Sequence, residues 1–320
     1  MNIRLARRED ARDIAALFQI AYAESSHPYK REDFVASSLQ RRRTDVWHVC
    51  EADDRVTGCM GMLVHRWNRT WEIVRGVIHP DFRGSGLGTL LAQRALDSAL
   101  ESAECDLIVG FPRSRVMYHI LNETVSPALH AVGHDGGINV AGGQREFHLA
   151  GLAIPRPQRF EWSRLPAGRF VENEILKPFG LYGTPQPYPP LIIAGDAPRH
   201  PDYGPFTFSY HPFCPSDALE ISGYNGARHS ESSIAEDLLG TMASFSHARH
   251  VRLTVLADKA VIQGALLKHG FKITAYLPAW HLQNGVRYDC VMLTWLAPGI
   301  QPVDHGVRDL VDHFNRGLNL

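Results

Sequence analysis

The feature that most constrains this chain of 320 residues is a glycine-rich loop, Arg-Gly-Ser-Gly-Leu-Gly, at residues 83–88. An apolar, β-branched run at 71–78 predicts a strand before it, and the pattern of residues 89–102 predicts a helix after it. Glycines let consecutive backbone N–H groups converge, and the helix N-terminus adds a partial positive charge. The sequence therefore predicts a binding site for a phosphate or pyrophosphate at this turn.

Two other phosphate-binding loops fit these residues less well. A Walker loop ends in Gly-Lys-Ser/Thr, whereas Gly88 is followed directly by Thr89. A dinucleotide fingerprint requires Gly-x-Gly-x-x-Gly, and although Gly84 and Gly86 match, Thr89 occupies the third position. A turn without a ligand is the simplest alternative, but three glycines in five residues would then only add to the entropy lost on folding.

The loop and its surroundings resemble the acyl-CoA-binding motif of the GNAT acyltransferase superfamily, the acyl-CoA N-acyltransferases. That motif reads Arg/Gln-x-x-Gly-x-Gly/Ala, and here it follows the lead-in His-Pro-Asp-Phe at 79–82. In the family, the motif follows the fourth strand and its backbone amides bind the pyrophosphate of coenzyme A. The resemblance implies acetyl-CoA or another acyl-CoA as cosubstrate, with no metal. It assigns the binding of this cosubstrate to Val77, Ile78, Arg83, Gly84, Ser85, Gly86, Leu87, Gly88 and Thr89.

The first half of the chain follows the order of elements that a GNAT fold implies. In order, we predict a strand at 2–6, a helix at 9–22, a hairpin of strands at 46–50 and 56–64 around Asp53-Asp54, and, beyond the glycine-rich loop, a buried strand at 106–110. The expected fold class is α/β, an α+β arrangement with a mixed sheet. The resemblance covers residues 1–150, which we expect to form an acyl-CoA-binding GNAT domain.

One element departs from the family pattern. After the fifth strand, GNAT proteins usually have a helix that ends in a tyrosine shortly before Gly-Phe. The best match here is a helix at 126–134, in which leucine or histidine stands near the tyrosine position and Gly133 is followed by His134. On this interpretation, the helix lacks the tyrosine that usually acts as an acid.

A proline-rich segment separates the two halves of the chain. Half of the 20 prolines lie between residues 178 and 215, among aromatic and aliphatic residues that favour burial. We therefore expect residues 151–215 to form an ordered connection rather than a disordered linker.

Residues 216–320 show helical and strand patterns again. We predict helices at 233–244, 259–269 and 303–314, and strands at 251–257, 271–276 and 286–295. Gly270-Phe271 and the hairpin signal Asn284-Gly285 complete an order that is similar to the C-terminal half of a GNAT domain. The resemblance implies a tandem, degenerate second domain that lacks the coenzyme loop, since residues 225–229 contain no such motif. An unrelated α/β domain is the alternative.

Acyl transfer to an amine requires a base, donors for the oxyanion and an acid for the departing thiolate. The resemblance places the oxyanion donor among the backbone amides of the fourth strand, near Val77 or Ile78. Glu72 is the only carboxylate on this strand and is the candidate base, with His79, His65 or water as alternatives. An exposed charge at the end of the strand is the alternative role for Glu72. Period-two alternation puts Glu72 on the same face as Val74, Gly76 and Ile78.

Two residues are candidates for the acid. Tyr118 follows the fifth strand in a loop that could reach the thiolate, and His130 lies closer to the family's tyrosine position. A packed aromatic ring is the alternative role for Tyr118.

Charge and composition argue against several classes of partner. The chain has 33 Lys+Arg against 34 Asp+Glu and no basic run beyond residues 41–43, so we expect neither nucleic acid nor a membrane surface as partner. Five cysteines without a Cys-x-x-Cys motif suit a reducing cytoplasm. The pairs His130/His134 and His247/His250 lack the carboxylate or cysteine that would complete a metal-ligand set.

These interpretations together predict a cytoplasmic N-acetyltransferase that uses acetyl-CoA and a primary amine of a small molecule, and they leave a homodimer open. A non-catalytic acyl-CoA-binding or sensor protein is one alternative, and acyl transfer to a carrier-protein thiol is another. We expect the second half to shape the acceptor site and to bind no coenzyme of its own.

Overall fold

A computed structural model describes residues 2–23, 27–52, 55–141, 144–163, 177–179, 188, 193–194, 209–213, 217–223 and 230–317. The chain divides into two compact units, which are described separately. The first unit comprises residues 1–131, 139–144 and 148–156, and the second comprises residues 132–138, 145–147 and 157–320.

The first unit has the predicted order of strands and two helices that were not predicted at their positions. Its elements are β1 (Asn2–Leu5), α1 (Ala11–Ala21), α2 (Glu32–Gln40), β2 (Asp45–Ala52), β3 (Arg55–His65), β4 (Thr70–Ile78), α3 (Leu87–Glu101), β5 (Leu107–Gly110) and α4 (Arg115–His119). The helices that were not predicted at their positions are α2 and α4. The predicted turn Asp53-Asp54 lies outside the described residues.

The sheet of the first unit is mixed, as predicted. The strand order is β1-β2-β3-β4-β5-β7, where β7 is Gln144–Ala153. All neighbours are antiparallel except β4 and β5, which run parallel. Because α3 connects β4 to β5, this parallel pair is a strand–helix–strand crossover whose first turn is the glycine-rich loop.

Apolar side chains form a separate core on each face of this sheet. On one face, α3 packs through residues such as Leu87, Leu91, Ala95 and Leu96 against Met60, Met62, Trp71 and Ile73. On the other face, α1 and α2 pack through residues such as Ile14, Phe18, Val35 and Leu39 against Trp47, Val49, Cys59 and Val77. The spacing of the buried residues in α1 and α3 is that of amphipathic helices, which explains why sequence periodicity predicted both.

The pairing of β3 with β4 contains a β-bulge. Cys59 lies opposite Val77 while Gly61 lies opposite Val74, so β4 has one extra residue between these pairs. Arg75, within the bulge, has a left-handed backbone with a φ of 60°. Because a bulge shifts the alternation of side chains by one residue, Ile78 packs with the α3 face, opposite to Glu72 and Val74. The predicted common face of Glu72, Val74, Gly76 and Ile78 is therefore wrong.

The helix predicted at 126–134 is also wrong, because this segment enters strand β6 (His130–Ala141). A Cβ atom at Gly133 would lie 2.2 Å from the carbonyl oxygen of Thr274, so the backbone approaches the neighbouring strand closely there. The helix that follows β5 is instead α4, where the Ser114 hydroxyl accepts a hydrogen bond from the Met117 N–H at 3.3 Å. A π-helical turn, Ile120–Thr124, extends it.

The second unit contains the helices and strands predicted for residues 216–320 and one strand, at residues 218–222, that was not predicted. They are β11 (Ala218–Ser222), α5 (Glu231–Ser244), β12 (His250–Leu256), α6 (Ala260–Lys268), β13 (Lys272–Gln283), β14 (Val286–Leu296) and α7 (Arg308–Gly317), after β8 (Glu161–Ser163), β9 (Ile193–Ala194) and β10 (Ser209–Phe213). The strand order is β6-β13-β14-β12-β11-β10, with β8 beside β14 and β9 beside β12. Asn284 and Gly285 both have positive φ, as the predicted hairpin turn requires.

Two predictions for the second half differ from the structure or fall outside it. The last helix starts at Arg308 rather than at 303, because the Val303 N–H donates to the Arg145 carbonyl at 2.7 Å in an isolated bridge. Most of the proline-rich segment and the whole of residues 225–229 lie outside the described residues. In the ranges that are described, no helix is both long enough and apolar enough to cross a bilayer.

Candidate active site

The glycine-rich loop is a tight connection that depends on left-handed glycines. After β4, residues 80–82 form a 3-10 turn, and the Ser85 hydroxyl donates to the Phe82 carbonyl at 2.6 Å. Gly84 and Gly86 have φ values of 76° and 80°. Since L residues with a side chain rarely adopt this backbone, glycine is the residue that these two positions require.

The loop leaves the N-terminus of α3 open. Gly86 is the N-cap residue of α3 and has no side chain to bond the amides of the first turn. Residues 83–86 are exposed, and a Cβ atom at Gly84 or Gly86 would meet no other atom within 4 Å. By contrast, α4 and α5 are capped by the hydroxyls of Ser114 and Ser230. The uncapped amides and the open space in front of them fit a pyrophosphate.

Next to this loop, one edge of β4 has no strand partner among the residues that the structure describes. The parallel pairing with β5 extends only from Thr70 to Ile73, while β4 continues to Ile78. The His79 N–H donates to the Thr57 carbonyl on β3 at 2.9 Å. Since backbone groups alternate sides along a strand, the Ile78 N–H and C=O face the opposite edge, beyond the point where β5 ends at Gly110.

The loop arginine confirms this orientation of the backbone. The Arg83 Nε donates to the Ile78 carbonyl at 3.4 Å, from the exposed side of the loop. Val77 and Ile78 were the two predicted oxyanion donors. Because backbone amides alternate in direction along β4, the Val77 amide points towards β3. The Ile78 amide is therefore the one that faces the open edge.

Glu72 lies on β4 close to the end of its pairing with β5. It pairs with Val109 on β5, one residue before the pairing ends. Its Oε2 lies 2.9 Å from the Nε2 of His65, and both side chains are partly exposed. The sequence named Glu72 and His65 as alternative bases but did not predict that they contact each other, because the two residues meet only through the pairing of β3 with β4.

Neighbours of Tyr118 along the chain pack against the strand and the loop. The neighbouring side chains show this: Met117 Cε would lie 3.9 Å from a Cβ atom at Gly76, and Ile120 Cδ1 3.4 Å from one at Gly88. Burial raises the pKa of the Tyr118 hydroxyl, and a hydrogen bond from the Ala131 backbone partly offsets this effect. The phenol is therefore protonated near neutral pH and has a proton to donate.

His130 lies at the start of β6, next to Ala131. Its Nδ1 is 3.4 Å from the Nδ2 of Asn122, and burial lowers the pKa of its imidazole. A lowered pKa leaves this ring neutral at pH 7, so it holds no readily donated proton. The structure brings Tyr118 and His130 to the same region, but only the tyrosine has the protonation state of an acid.

A second cluster was not predicted from the sequence. Arg75 packs over the rings of Tyr29 and Trp47, with the guanidinium carbon 4.5 and 4.9 Å from their centroids, and it hydrogen-bonds Asp45. The pKa of His27 is lowered to about 4, mainly by burial and secondly by the positive charge of Arg75. These residues come from different elements and have no common spacing, so no local sequence pattern predicts the cluster.

The described residues contain no group of three or more His, Cys, Asp and Glu side chains that could hold a metal ion. Cys50, Cys59, Cys105 and Cys290 are buried cysteines that are not part of a disulfide. Burial raises the pKa of the Cys59 thiol to about 12. Such a thiol is a poor nucleophile near neutral pH.

Comparison with known proteins gives one family match. Residues 12–117 match the model of the acetyltransferase (GNAT) family. A search among curated proteins found no significant match.

Several solved structures are similar to about half of the chain. YncA, a putative acetyltransferase from Salmonella typhimurium with its cofactor acetyl-CoA, is 19% identical over 48% of this chain and 94% of its own, with a TM-score of 0.41. A chimera of spermidine N-acetyltransferase SpeG from Vibrio cholerae and hSSAT is 20% identical over 48% and 95%, with a TM-score of 0.41. Aminoglycoside 6'-acetyltransferase type Ii is 14% identical over 48% and 97%, with a TM-score of 0.39.

Proposed function

Residues 12–117 carry a GNAT acetyltransferase domain, and from this premise we propose that the chain is an N-acetyltransferase. It binds acetyl-CoA at residues 83–88 and transfers the acetyl group directly to a primary amine of a small molecule. The observation that carries the proposal is the uncapped N-terminus of α3, which lies beside the open edge of β4.

The cosubstrate is held by backbone groups in two places. The amides of Gly84 to Thr89 and the Arg83 guanidinium bind the pyrophosphate, because an uncapped helix N-terminus and a cation both attract negative charge. The Ile78 amide donates to the thioester carbonyl and stabilises the oxyanion that forms there. Coenzyme A is thus bound by groups whose positions depend on glycines and on strand geometry.

The proposed chemical step moves the acetyl group from sulfur to nitrogen and balances in bonds and protons. Glu72 accepts a proton from the substrate ammonium, and the resulting amine attacks the thioester carbonyl carbon to form a C–N bond. The C–S bond then breaks and the electron pair leaves on sulfur. Tyr118 donates its phenolic proton to the thiolate, which gives free coenzyme A, and the phenolate takes up the second proton that the attacking nitrogen loses as it becomes the amide. Of the two candidate acids we assign Tyr118, because His130 is neutral at pH 7.

Thermal denaturation with and without coenzyme A tests the binding. At a ligand concentration about a hundredfold above the dissociation constant, linkage predicts roughly 2.7 kcal/mol of stabilisation. Gly86→Val should abolish the shift, because valine resists a φ of 80° and its side chain enters the space in front of the loop. The matched control is Gly285→Val, since Gly285 has a φ of 83° and equally open surroundings in the second unit. This control should lower the melting temperature but keep the shift.

Turnover separates the enzyme from a non-catalytic binding protein. We expect release of coenzyme A when acetyl-CoA is mixed with a panel of primary amines that includes polyamines, aminoglycosides and amino acids. Binding of coenzyme A without transfer to any amine would support the sensor alternative. No binding by protein free of copurified ligand would contradict the proposal altogether.

A further inference from the structure

We propose that Arg75 is a positioning residue that holds the bulge of β4 and thereby presents the Ile78 amide to the thioester. The inference rests on the proposed acetyl transfer, and it adds a role that no motif of the sequence assigns. In this role, Arg75 determines which backbone amide of β4 faces the open edge of the strand.

The bulge decides the orientation of every backbone group between it and the loop. With the extra residue, the Cys59–Val77 pairing directs the Val77 and His79 amides towards β3 and leaves the Ile78 amide on the open edge. If β4 continued in the register of Gly61 and Val74, the alternation would shift by one residue. The Val77 amide would then face the open edge, and the Ile78 amide would be bonded to β3.

The bulge requires a backbone conformation that arginine does not favour. Arg75 has a φ of 60°, in the left-handed region that non-glycine residues avoid because Cβ crowds the following carbonyl. The next residue, Gly76, lies against Met60, whose Cε would be 2.9 Å from a Cβ atom there. A strained residue at this point persists only if the surrounding structure holds it.

The Arg75 side chain supplies contacts that can hold this conformation. Its guanidinium hydrogen-bonds the buried carboxylate of Asp45 and stacks over the rings of Tyr29 and Trp47. Asp45 is in turn paired with Arg41 at 3.2 Å. These partners belong to β2 and to the segment around α2, so they tie the bulge to elements outside the β3–β4 pair. If the Arg75 side chain is removed, these contacts are lost, and the backbone of residue 75 can relax out of the left-handed conformation.

Two substitutions separate the backbone from the side chain. Arg75→Ala removes the clamp and leaves a residue that disfavours a positive φ, so the bulge should be lost or become mobile. Arg75→Gly also removes the clamp but adopts a positive φ freely. We expect kcat to fall at least tenfold in Arg75→Ala and less in Arg75→Gly, with KM for acetyl-CoA within about threefold, because residues 83–88 are unchanged.

The matched control is Arg69→Ala. Arg69 also has a left-handed backbone, with a φ of 49°, and its guanidinium is paired with the buried Asp106 at 2.8 Å. It lies at the opposite end of β4 from Ile78. The control should lower the melting temperature to a similar extent but leave kcat within about twofold.

Site-resolved amide hydrogen exchange reads the register directly and does not depend on turnover. In the wild type, the Val77 and His79 amides should exchange slowly, the Ile78 amide should exchange fast, and acetyl-CoA should slow Ile78. In Arg75→Ala the protection of Val77 and the effect of acetyl-CoA on Ile78 should both be lost. Asp45→Asn should likewise reduce the protection of Val77 and the effect of acetyl-CoA on Ile78. It provides a second variant if Arg75→Ala does not fold.

Two results would overturn the role of Arg75. One is an unchanged exchange pattern and kcat in Arg75→Ala, and the other is an equal loss of kcat in Arg69→Ala, which would show a general effect of stability. A wild type that binds acetyl-CoA but acetylates no amine would instead refute the proposed function, while the exchange pattern would still decide whether Arg75 holds the bulge.

Discussion

At the scale of single residues, the site depends on contacts between side chains that are distant in the sequence. Glu72 was predicted as the base from its position on the fourth strand alone. Its partner His65 lies seven residues earlier and reaches it across the β3–β4 pair, at 2.9 Å. In the proposed mechanism, this partly exposed histidine offers a path by which the proton taken up by Glu72 can leave for solvent.

Replacing Glu72 tests its role as general base. Glu72→Gln keeps the size of the side chain but cannot accept the ammonium proton, so we expect kcat to fall about a hundredfold with the affinity for coenzyme A nearly unchanged. Steady-state kinetics and calorimetric titration measure the two effects. Glu104→Gln, which alters an exposed carboxylate paired with Arg66, is the control and should change neither. Normal turnover in Glu72→Gln would move the role to His65 or His79.

At the scale of elements, β4 and α4 are where sequence and structure differ most. The strand and the loop were predicted correctly because their patterns are local. The bulge was not, since nothing in the spacing of residues 71–78 reveals that Arg75 turns left-handed. The helix after β5 was misplaced for a similar reason: α4 has only five residues, too few for a periodic pattern, and its Ser114 cap is its clearest local signal.

The position of Tyr118 on α4 leads to a prediction about pH. Burial raises the pKa of its hydroxyl above the ordinary value of about 10, so the proton is present throughout the neutral range. An acid acts below its pKa and is lost as the pH rises through it. Tyr118→Phe should therefore lower kcat about tenfold at every pH between about 7 and 10. Wild-type turnover should show no alkaline decline in that range from loss of this proton.

A pH–rate series on the wild type and the two variants Tyr118→Phe and His130→Gln measures this effect. His130→Gln should leave kcat within about threefold, because the neutral ring donates no proton. An alkaline limb near pH 9 that disappears in Tyr118→Phe would contradict the raised pKa. Full activity of Tyr118→Phe would remove the tyrosine from the mechanism.

At the scale of the whole molecule, the chain contains two units, of which only the first carries the loop at residues 83–88. The sequence predicted a boundary near residue 150, and the structure shows why a cut there would be harmful. Residues 151–153 belong to β7 and pair with 108–110 of β5. A chain ending at 150 would lose this pairing, so binding experiments should use the full chain.

Titration calorimetry on the full chain should give one coenzyme A per chain. The reason is that the glycines of residues 83–88 let amides converge on a pyrophosphate, whereas the sequence of residues 225–229, Asn-Gly-Ala-Arg-His, contains a single glycine. Gly86→Val should bring the stoichiometry to zero. Two equivalents bound per chain, or one equivalent that survives Gly86→Val, would show a coenzyme site outside the loop.

The sequence by itself determined the features that depend on neighbouring residues. These are the strand–loop–helix at residues 71–102, the order of elements in the first unit, and the Asn284-Gly285 turn. Periodicity and glycine positions encode such features because the interactions that stabilise them span only a few residues. Only the tertiary structure decided the bulge at Arg75, the Glu72–His65 pair and the closeness of α4 to the loop. Each of these depends on how separate elements pair or pack in three dimensions, which no pattern within a single element specifies.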